Sequence, residues 1–199
     1  MKENHKRSHM KLRKISFLAF GLAAFLFAAE AKSIPDLVST VIYPQKASAV
    51  ERHAAEELAV HLNKACGGAI LCAEESDMPS GVNAIYVGNT GFAADRNLSF
   101  AGFSPEEWMI RSFSDGIVVA GGVPRGTLYG VYEFLERFAD IAWLDEFYTD
   151  IPRKSRMLLP ERIDLRGKPV FRYRGIYTWH GNDQTRRFLF RSRNRENIF

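Results

Sequence analysis

The stretch WMIRSFSDGIVVAGGVPRGTLYGVYEFLERF, residues 108–138, contains the strongest local signals for the fold. Two runs suited to β-strands, Trp108 to Phe113 and Gly116 to Ala120, flank a short polar turn. Within that turn, Asp115-Gly116 supplies residues that tolerate a positive φ, which favours a β-hairpin. The second run is uniformly apolar, as is typical of a strand buried on both faces. The first half of the stretch therefore predicts a hairpin whose second strand is buried.

The second half of the stretch predicts an amphipathic helix that begins at Pro124 to Thr127. Apolar side chains then recur every three or four residues, which places them on one helix face. These side chains are Leu128, Val131, Tyr132, Leu135 and Phe138. Gly130 lies inside the helix, where glycine costs about 1 kcal/mol relative to alanine. We therefore expect the helix to approach the sheet closely at Gly130.

A second helix is predicted upstream of the hairpin. It begins at Ser48-Ala49-Val50-Glu51, a capping box in which the Ser48 hydroxyl and the Glu51 carboxylate satisfy backbone donors of the first turn. It ends at Gly67-Gly68, where a left-handed residue can close a helix. Its apolar stripe is Val50, Ala54, Leu58, Leu62 and Ala65. The spacing again fits one buried helix face.

Short apolar or β-branched runs between these units predict further strands. They are Leu37–Tyr43, Ala69–Ala73, Ala84–Gly88 and Ala142–Leu144. Asn89 to Gly102 has turn formers without a sustained period and is predicted to be a loop, and Ile151 to Asp164 an extended connector. The order strand, helix, strand, strand, hairpin, helix, strand predicts an α+β domain: a mixed β-sheet with two α-helices on one face.

The charge distribution argues against a nucleic-acid-binding protein. The 199 residues are 46% hydrophobic and 25% charged, with a formal net charge of +4. Residues 1–31 carry six Lys/Arg against two Asp/Glu, so the rest of the chain has 21 of each sign and is neutral. Binding to a polyanion draws on an excess of Lys and Arg that face phosphates. We therefore expect no nucleic-acid partner.

Residues 1–31 have the pattern of a cleavable secretory signal peptide. Six basic residues precede the apolar run Ile15 to Ala29, and Ala29-Glu30-Ala31 provides a small-x-small cleavage site, with the cut expected after Ala31. The alternative is a transmembrane anchor, but a bilayer core requires about 20 apolar residues, and this run is shorter. We expect a secreted or periplasmic protein with no membrane attachment after cleavage.

An oxidising compartment would allow Cys66 and Cys72, the two cysteines of the chain, to form a disulfide around a small loop. The alternative is two buried free thiols, since a disulfide requires the two Cα atoms to lie within about 7 Å. A metal site is not expected, because no ligand at suitable spacing completes the pair. We also expect no cofactor: Gly121-Gly122 and Gly126 precede a helix but lack the lysine of a phosphate-binding loop.

Four stretches of this pattern resemble the N-terminal domain of alpha-glucuronidases and of related secreted bacterial glycoside hydrolases. They are AVERHAAEELAVHLNKACGG (49–68), AIYVGNT (84–90), GIVVAGGVPRGTLYGVYEFLER (116–137) and IAWL (141–144). Beta-N-acetylhexosaminidases carry a similar domain. The resemblance covers about residues 36–165, and Gly-Thr-Leu-Tyr-Gly at 126–130 is its most specific part. It implies a non-catalytic domain that precedes a (β/α)8 barrel.

Residues 166–199 fit the start of such a barrel. Phe171 to Tyr177 resembles the first barrel strand, where the family's Arg-Gly pair matches Arg174, and Trp179 resembles the tryptophan of a glucuronidase Trp-Asp-Asn segment. The resemblance implies that Arg174 holds sugar hydroxyls and Trp179 stacks on a sugar face. His180 and Gly181 replace the family's Asp and Asn. The alternatives are an arginine paired with a carboxylate and a tryptophan that serves packing.

The tail also contains nine Arg/Lys against Asp183 and Glu196, which leaves open a contact with a polyanion. An amphipathic helix over RRFLFRSRNRENIF, residues 186–199, accounts for the same charges and is our prediction. A (β/α)8 barrel requires about 250 residues, so this segment holds only its first strand and helix.

The sequence therefore predicts three parts: a signal peptide (1–31), an α+β domain (32–165) and the start of a truncated catalytic barrel (166–199). No catalytic residue is assigned. The adjacent acidic pairs Glu56/Glu57, Glu74/Glu75 and Glu106/Glu107 point in different directions and fit solvated faces better than a catalytic acid and base. Two functions stay open: a silent fragment of an exported glycoside hydrolase-like protein, or a free-standing carbohydrate-binding or assembly module. A carbohydrate-binding module would have a glycan or oligosaccharide as its partner, whereas a silent fragment would be inert toward glycans.

Overall fold

The structure is a computed structural model that describes residues 32–33, 39–78, 83–155, 157–175 and 184–196. The predicted signal peptide and Trp179 lie outside these ranges. Within the described residues, no helix is both long enough and apolar enough to cross a membrane.

The elements are labelled in chain order. The strands are β1 (Lys32–Ser33), β2 (Thr40–Tyr43), β3 (Leu71–Glu74), β4 (Ala84–Val87), β5 (Trp108–Phe113), β6 (Gly116–Gly121), β7 (Ala142–Trp143), β8 (Thr149–Asp150), β9 (Leu158–Leu159) and β10 (Asp164–Gly167). The helices are α1 (Ala49–Cys66), α2 (Gly91–Asp95), α3 (Gly126–Ala139) and α4 (Gln184–Arg193). The chain therefore combines α and β structure, with two long helices, α1 and α3, among short strands.

Six strands form one mixed sheet in the order β10-β5-β6-β4-β2-β3. The neighbours β6, β4, β2 and β3 pair in parallel, whereas β5 is antiparallel to β6 and to β10. The hairpin register pairs Trp108 with Gly121 and Phe113 with Gly116, as the hairpin prediction requires. The predicted mixed sheet is confirmed. Two-stranded antiparallel pairs, β1 with β9 and β7 with β8, lie outside it.

The long helices α1 and α3 cover one face of the sheet and form the main core with it. The capping box of α1 is present: Glu51 N donates to the Ser48 hydroxyl over 3.2 Å, and Ser48 N donates to the Glu51 carboxylate over 2.9 Å. The helix ends at Gly67, whose φ of 65° is left-handed. A Cβ on Gly130 of α3 would lie 3.2 Å from a side-chain atom of Val119 on β6, so the predicted close approach is confirmed.

The opposite face of the sheet is covered by α2, where the sequence pattern predicted only a loop. That prediction was wrong because α2 depends on a distant partner. Thr90 caps the helix, and the Glu75 carboxylate accepts hydrogen bonds from Gly91 N and Phe92 N over 2.8 and 3.0 Å. The Phe92 ring stacks on Tyr86 of β4 with centroids 3.7 Å apart. The five-residue helix α2 thus covers the second, smaller core with Phe92 and Ala93.

The segment after residue 160 completes the domain. β10 adds the edge strand beside β5, and it spans the boundary at 165–166 that the sequence pattern proposed. The described residues 168–175 contain no strand, so the first strand of a barrel is not confirmed. The predicted C-terminal helix is present in part: α4 covers Gln184–Arg193, and the following described residues 194–196 are not helical. Phe190 of α4 packs against the core that α1 and α3 form.

Candidate functional site

Arg174 follows β10 in an irregular segment, and groups of the protein surround its guanidinium. It donates to the Glu106 carboxylate over 2.9 Å, to the backbone oxygen of Arg195 over 2.8 and 3.0 Å and to that of Phe171 over 2.6 Å. The pairing with a carboxylate, left open by the sequence, is therefore present. The role of Arg174 in sugar binding stays a prediction, and Trp179 lies outside the described residues.

Glu106 connects Arg174 to a second arginine. One carboxylate oxygen accepts from Arg174, and the other lies 3.5 Å from Arg125 Nη1 at the start of α3. The Arg174 guanidinium also lies 5.9 Å from the ring centre of buried Tyr129. Burial raises the pKa of Tyr129, so its hydroxyl stays protonated at neutral pH. This cluster fixes the irregular segment after β10 to the loop before β5.

A groove of about 500 Å³ opens beside this cluster, and we call it the arginine groove. Its lining residues are Ser104, Pro105, Glu106, Arg125, Pro169, Phe171, Arg172 and Tyr173. Phe171 and Tyr173 are 72% and 68% exposed, although both are large and apolar. The Arg172 guanidinium lies 5.4 Å from the Tyr173 ring centre. The groove thus places exposed aromatic rings next to cationic groups.

Sequence reasoning missed this groove because it assigned the segment Phe171–Tyr173 to a barrel strand. The alternation of aromatic and basic residues in FRYR, residues 171–174, was the available signal. Its partners Glu106 and Arg125 lie far away in the sequence, so the chain alone does not indicate that they meet.

The arginine groove lacks the geometry of a glycosidase centre. Such a centre holds two carboxyl groups about 5 to 9.5 Å apart across the scissile bond. Among the described residues that line the groove, Glu106 is the only acidic one. Its neighbour Glu107 instead accepts from Arg166 over 2.7 Å and from Ser104 N over 3.0 Å. The groove therefore presents a single carboxylate, which arginines neutralise.

Acidic residues of the other doublets also bind groups of the protein itself. Glu75 holds the first turn of α2, as described above, and Glu57 faces Arg193 of α4. Across the described ranges, no group of three or more His, Cys, Asp or Glu side chains could hold a metal ion.

Glu57 and Arg193 form a two-bond ion pair between α1 and α4. Arg193 donates through Nε and Nη2 to the two Glu57 oxygens over 3.0 and 3.1 Å, with Tyr132 Oη 3.4 Å from the same carboxylate. Burial alone would raise the pKa of Glu57, but the hydrogen bonds and charge of Arg193 outweigh burial and lower it. The neighbouring His61 is buried, which lowers its pKa, so it is neutral at pH 7.

Other arginines of the tail also pair with acids of the domain. Arg195 lies 2.7 Å from a Glu136 oxygen and 3.5 Å from a Glu133 oxygen, both on α3. Arg187 lies 3.8 Å from Glu146. These ion pairs neutralise part of the positive charge of the tail within the protein.

Cys66 and Cys72 are free thiols in the structure, with Cys66 half-buried and Cys72 exposed. The disulfide between them stays a prediction. Cys66 is the last residue of α1, and Cys72 lies on the edge strand β3. Between them the chain leaves the helix through left-handed Gly67 and enters the sheet, so the two residues belong to separate elements. Burial raises the pKa of both thiols, and nearby Glu56 helps to raise that of Cys72 to about 11.

We expect Cys66, which is half-buried, to react slowly with an aromatic disulfide reagent at pH 7. Cys72 is accessible to the reagent, but its raised pKa leaves little of the reactive thiolate, so it should react more slowly than an ordinary exposed cysteine. The native protein should release the coloured thiolate slowly, and the protein in denaturant should release it quickly and in twofold molar amount. Intact mass before and after alkylation in denaturant provides the control. A mass that does not change on alkylation would mean that the cysteines are paired.

Comparison with solved structures shows what the fold resembles. A family GH115 4-O-methyl-alpha-glucuronidase, BtGH115A, with specificity for decorated arabinogalactans, matches 68% of this chain at 17% identity with a TM-score of 0.50. A GH20 beta-N-acetylhexosaminidase from Streptomyces coelicolor A3(2) matches 63% at 12% identity, with a TM-score of 0.38. A GH138 enzyme targeting pectin rhamnogalacturonan II matches 49% at 17% identity, with a TM-score of 0.31. The last two overlaps are too slight to support an argument.

The match to each of these proteins is partial. The chain spans 18% of the glucuronidase, 22% of the hexosaminidase and 10% of the pectin-targeting enzyme. No family model and no curated protein sequence matches the chain. At these identities the likeness concerns the fold alone, and the chain has a distant glycoside hydrolase-like fold with a mixed sheet.

Proposed function

We propose that this chain is a non-catalytic domain of an exported glycoside hydrolase-like protein that acts in carbohydrate metabolism. The observation that supports this most is the overlap of its fold with part of an alpha-glucuronidase. A parent activity of the alpha-glucuronidase or hexosaminidase type is consistent with the resemblance of residues 36–165. In this proposal residues 166–199 lead into a second unit, although Arg166 and Gly167 still belong to β10 of the first sheet and Phe190 of α4 packs on its core.

The contacts of the glutamate side chains support a non-catalytic domain. Glycosidases need one carboxyl group as acid and a second as base or nucleophile, and both must reach the same sugar. In the described residues, Glu57, Glu75, Glu106 and Glu107 each accept hydrogen bonds from the protein itself. A carboxylate held in this way stabilises the fold and is poorly placed to protonate a leaving group.

Export is part of the proposal because of residues 1–31. Their basic start, apolar run and Ala-Glu-Ala site have the order of a secretory signal. A secreted or periplasmic location would bring the domain to polymeric glycans outside the cytoplasm.

The second candidate function is a free-standing carbohydrate-binding or assembly module. The arginine groove favours it, because exposed aromatic rings beside polar groups suit a sugar ligand. A binding module would show saturable heat release with a glycan, whereas a domain that only supports a neighbouring catalytic unit would show none.

We expect residues 32–199 to show no hydrolysis of aryl alpha-glucuronides or aryl N-acetyl-beta-hexosaminides. The physical reason is that the arginine groove presents one carboxylate, Glu106, and no second acid among the described residues that line it. Release of the aryl alcohol measured from pH 4 to 8, with an active glycosidase as positive control, tests this. Turnover that disappears in Asp183→Asn or Glu133→Gln would overturn the proposal.

A further inference from the structure

We propose that a groove at the C-terminal end of α1 binds a tetrahedral oxyanion, the sulfate or phosphate group of a small ligand. One wall of this groove, which we call the lysine groove, is formed by residues 63–67 at the end of α1. The other wall is formed by residues 153–155, in the connector after β8. The volume of about 620 Å³ lies within the usual range of ligand sites, about 300 to 1,000 Å³. The inference is independent of the proposed carbohydrate function.

The side chains of the lysine groove carry an excess of positive charge. Lys64, Arg153 and Lys154 line it, and no acidic side chain does so among the described residues. Lys64 and Arg153 are exposed and form no ion pair with any described residue. The Lys154 ammonium pairs with Asp140 next to the groove. Three cations against one neighbouring carboxylate therefore leave two positive charges for an external anion.

The polar groups available to a ligand are mainly hydrogen-bond donors. The ammonium and guanidinium groups only donate, and the Ser155 hydroxyl, which also lines the groove, can donate as well. The Asn63 amide is already used, because it donates to Ile70 O over 2.9 Å and accepts from Ile70 N over 2.7 Å. A sulfate or phosphate group offers several strong acceptor oxygens, and charge-assisted hydrogen bonds are stronger than neutral ones.

The two walls of the lysine groove are joined before any ligand arrives. Lys154 N donates to Ala65 O over 2.9 Å, which ties the connector to the last turn of α1. Gly67 N donates to Asn63 O over 2.9 Å and closes the helix end. A Cβ at Gly67 would meet no atom within 4 Å, so the space beside this glycine is open. Such preorganisation lowers the entropic cost of binding.

Cys66 also lines the lysine groove and provides a reporter of its occupation. Burial raises the pKa of the Cys66 thiol, and the charge of Lys154 partly offsets this effect. An oxyanion bound beside Lys154 would cancel the offset and cover the thiol, so that alkylation of Cys66 slows. Cys72 lies on β3, outside the described lining of the groove, and serves as an internal control.

Alkylation of the purified protein with iodoacetamide, a neutral reagent, followed by mass spectrometry of the two cysteine peptides tests the inference. Sodium sulfate and sodium phosphate are titrated against sodium chloride at equal ionic strength. We expect sulfate and phosphate to slow the reaction of Cys66 saturably, by at least about threefold, and chloride to have no such effect. The reaction of Cys72 should not change in any of the three salts.

Monosaccharide esters distinguish the sources of the oxyanion. A monosaccharide sulfate and a monosaccharide phosphate should each protect Cys66, and the ester that protects at the lower concentration identifies the preferred group. The unmodified monosaccharide should give no protection, because no aromatic ring lines the described part of the groove. Protection by the neutral sugar alone would overturn the inference.

The chain offers matched variants for the cations of the groove. Lys64→Gln and Arg153→Gln should each raise the half-saturating sulfate concentration about fivefold, the upper range for an exposed ion pair. The controls Lys46→Gln and Arg162→Gln remove exposed cations that form no ion pair with the described residues, and they should leave it unchanged. Sulfate also favours compact folds in general, and the groove variants should retain that unsaturable effect.

Three results would overturn the inference: equal protection by chloride, equal protection of Cys72, or equal losses in the control variants. Each would indicate general screening or stabilisation in place of a site. Absence of any protection would also overturn it, and Lys64 would then serve only the negative end of the α1 dipole. None of these results affects the proposed non-catalytic domain, because that proposal fails on glycoside turnover.

Discussion

Gly126→Ala is expected to destabilise the fold strongly and to lower the yield of soluble protein. A Cβ at Gly126 would overlap the backbone oxygen of Glu107, and one at Gly121 would lie 2.5 Å from the carbonyl carbon of Gly126. The same turn is closed by hydrogen bonds from Gly122 N to Glu107 O and from Gly126 N to Gly122 O over 2.8 and 2.7 Å. Since the clash is with backbone, no side-chain rotation relieves it.

We expect a loss above about 3 kcal/mol, a large part of the stability of a typical domain. Thermal unfolding followed by circular dichroism should show a midpoint at least about 8 °C lower, if the variant is soluble at all. Gly102→Ala and Gly68→Ala are the matched controls, because a Cβ at either position meets no atom within 4 Å. If Gly126→Ala melted like these controls, the close contact between the helix start and the loop before β5 would be wrong.

Glu57→Gln is expected to loosen helix α4 and to reduce stability by about 3 kcal/mol, the usual order for removing one partner of a buried ion pair. Glu57 and Arg193 are 11% and 19% exposed in their side chains, so Arg193 would lose its counter-charge in a largely dry contact. If α4 detaches in the variant, Arg193 returns to water, and the loss of stability is smaller. Urea unfolding gives the free energy, and hydrogen exchange of residues 184–193 reports the helix.

The pair also predicts a dependence on pH. Because the pKa of Glu57 is lower in the folded protein, its contribution is complete above the ordinary carboxyl range and is lost as pH falls through the folded value. Buried His61 has a lowered pKa, so protons favour the unfolded chain below the ordinary histidine range. Both groups therefore destabilise the fold in acid. Glu57→Gln should flatten the decline in stability between about pH 5 and pH 3.

Arg111→Gln is the control for this variant, since its partner Asp164 is 41% exposed and the pair lies on the sheet edge. Loss of an exposed ion pair changes stability by less than about 1 kcal/mol. Suppose that Glu57→Gln unfolds at the same urea concentration as Arg111→Gln and that hydrogen exchange in α4 does not change. The Glu57–Arg193 ion pair would then not hold α4 on α1.

The parts of the fold that could be predicted depend on neighbouring residues. The capping box at Ser48 and Glu51 and the helix end at Gly67 lie within single turns, and both are present. The hairpin at Ser114 was also predicted, although for an incomplete reason. Asp115 and Gly116 do not adopt a positive φ, and Gly116 is needed instead because a Cβ would lie 2.9 Å from the Tyr86 ring.

The parts that could not be predicted depend on distant residues. Helix α2 is held by Glu75, and Arg174 is held by Glu106, which lies 68 positions away. The alternation in FRYR fits a strand, but its arginine serves an ion pair and its rings face a groove. The candidate site could not be predicted because it forms between the loop before β5 and the segment after β10, which are far apart in the sequence and meet only in the fold.

The strand order implies a sequence of events during folding. The β5–β6 hairpin joins adjacent segments and can form within microseconds, as isolated hairpins do, at about 1 to 10 μs. Pairing of β6 with β4 and of β4 with β2 is parallel and must close longer loops, which carries a larger entropic cost. β10 can join only after its partner β5 exists. We therefore expect the transition state to contain the hairpin and α3, with the β2–β3 edge ordered later.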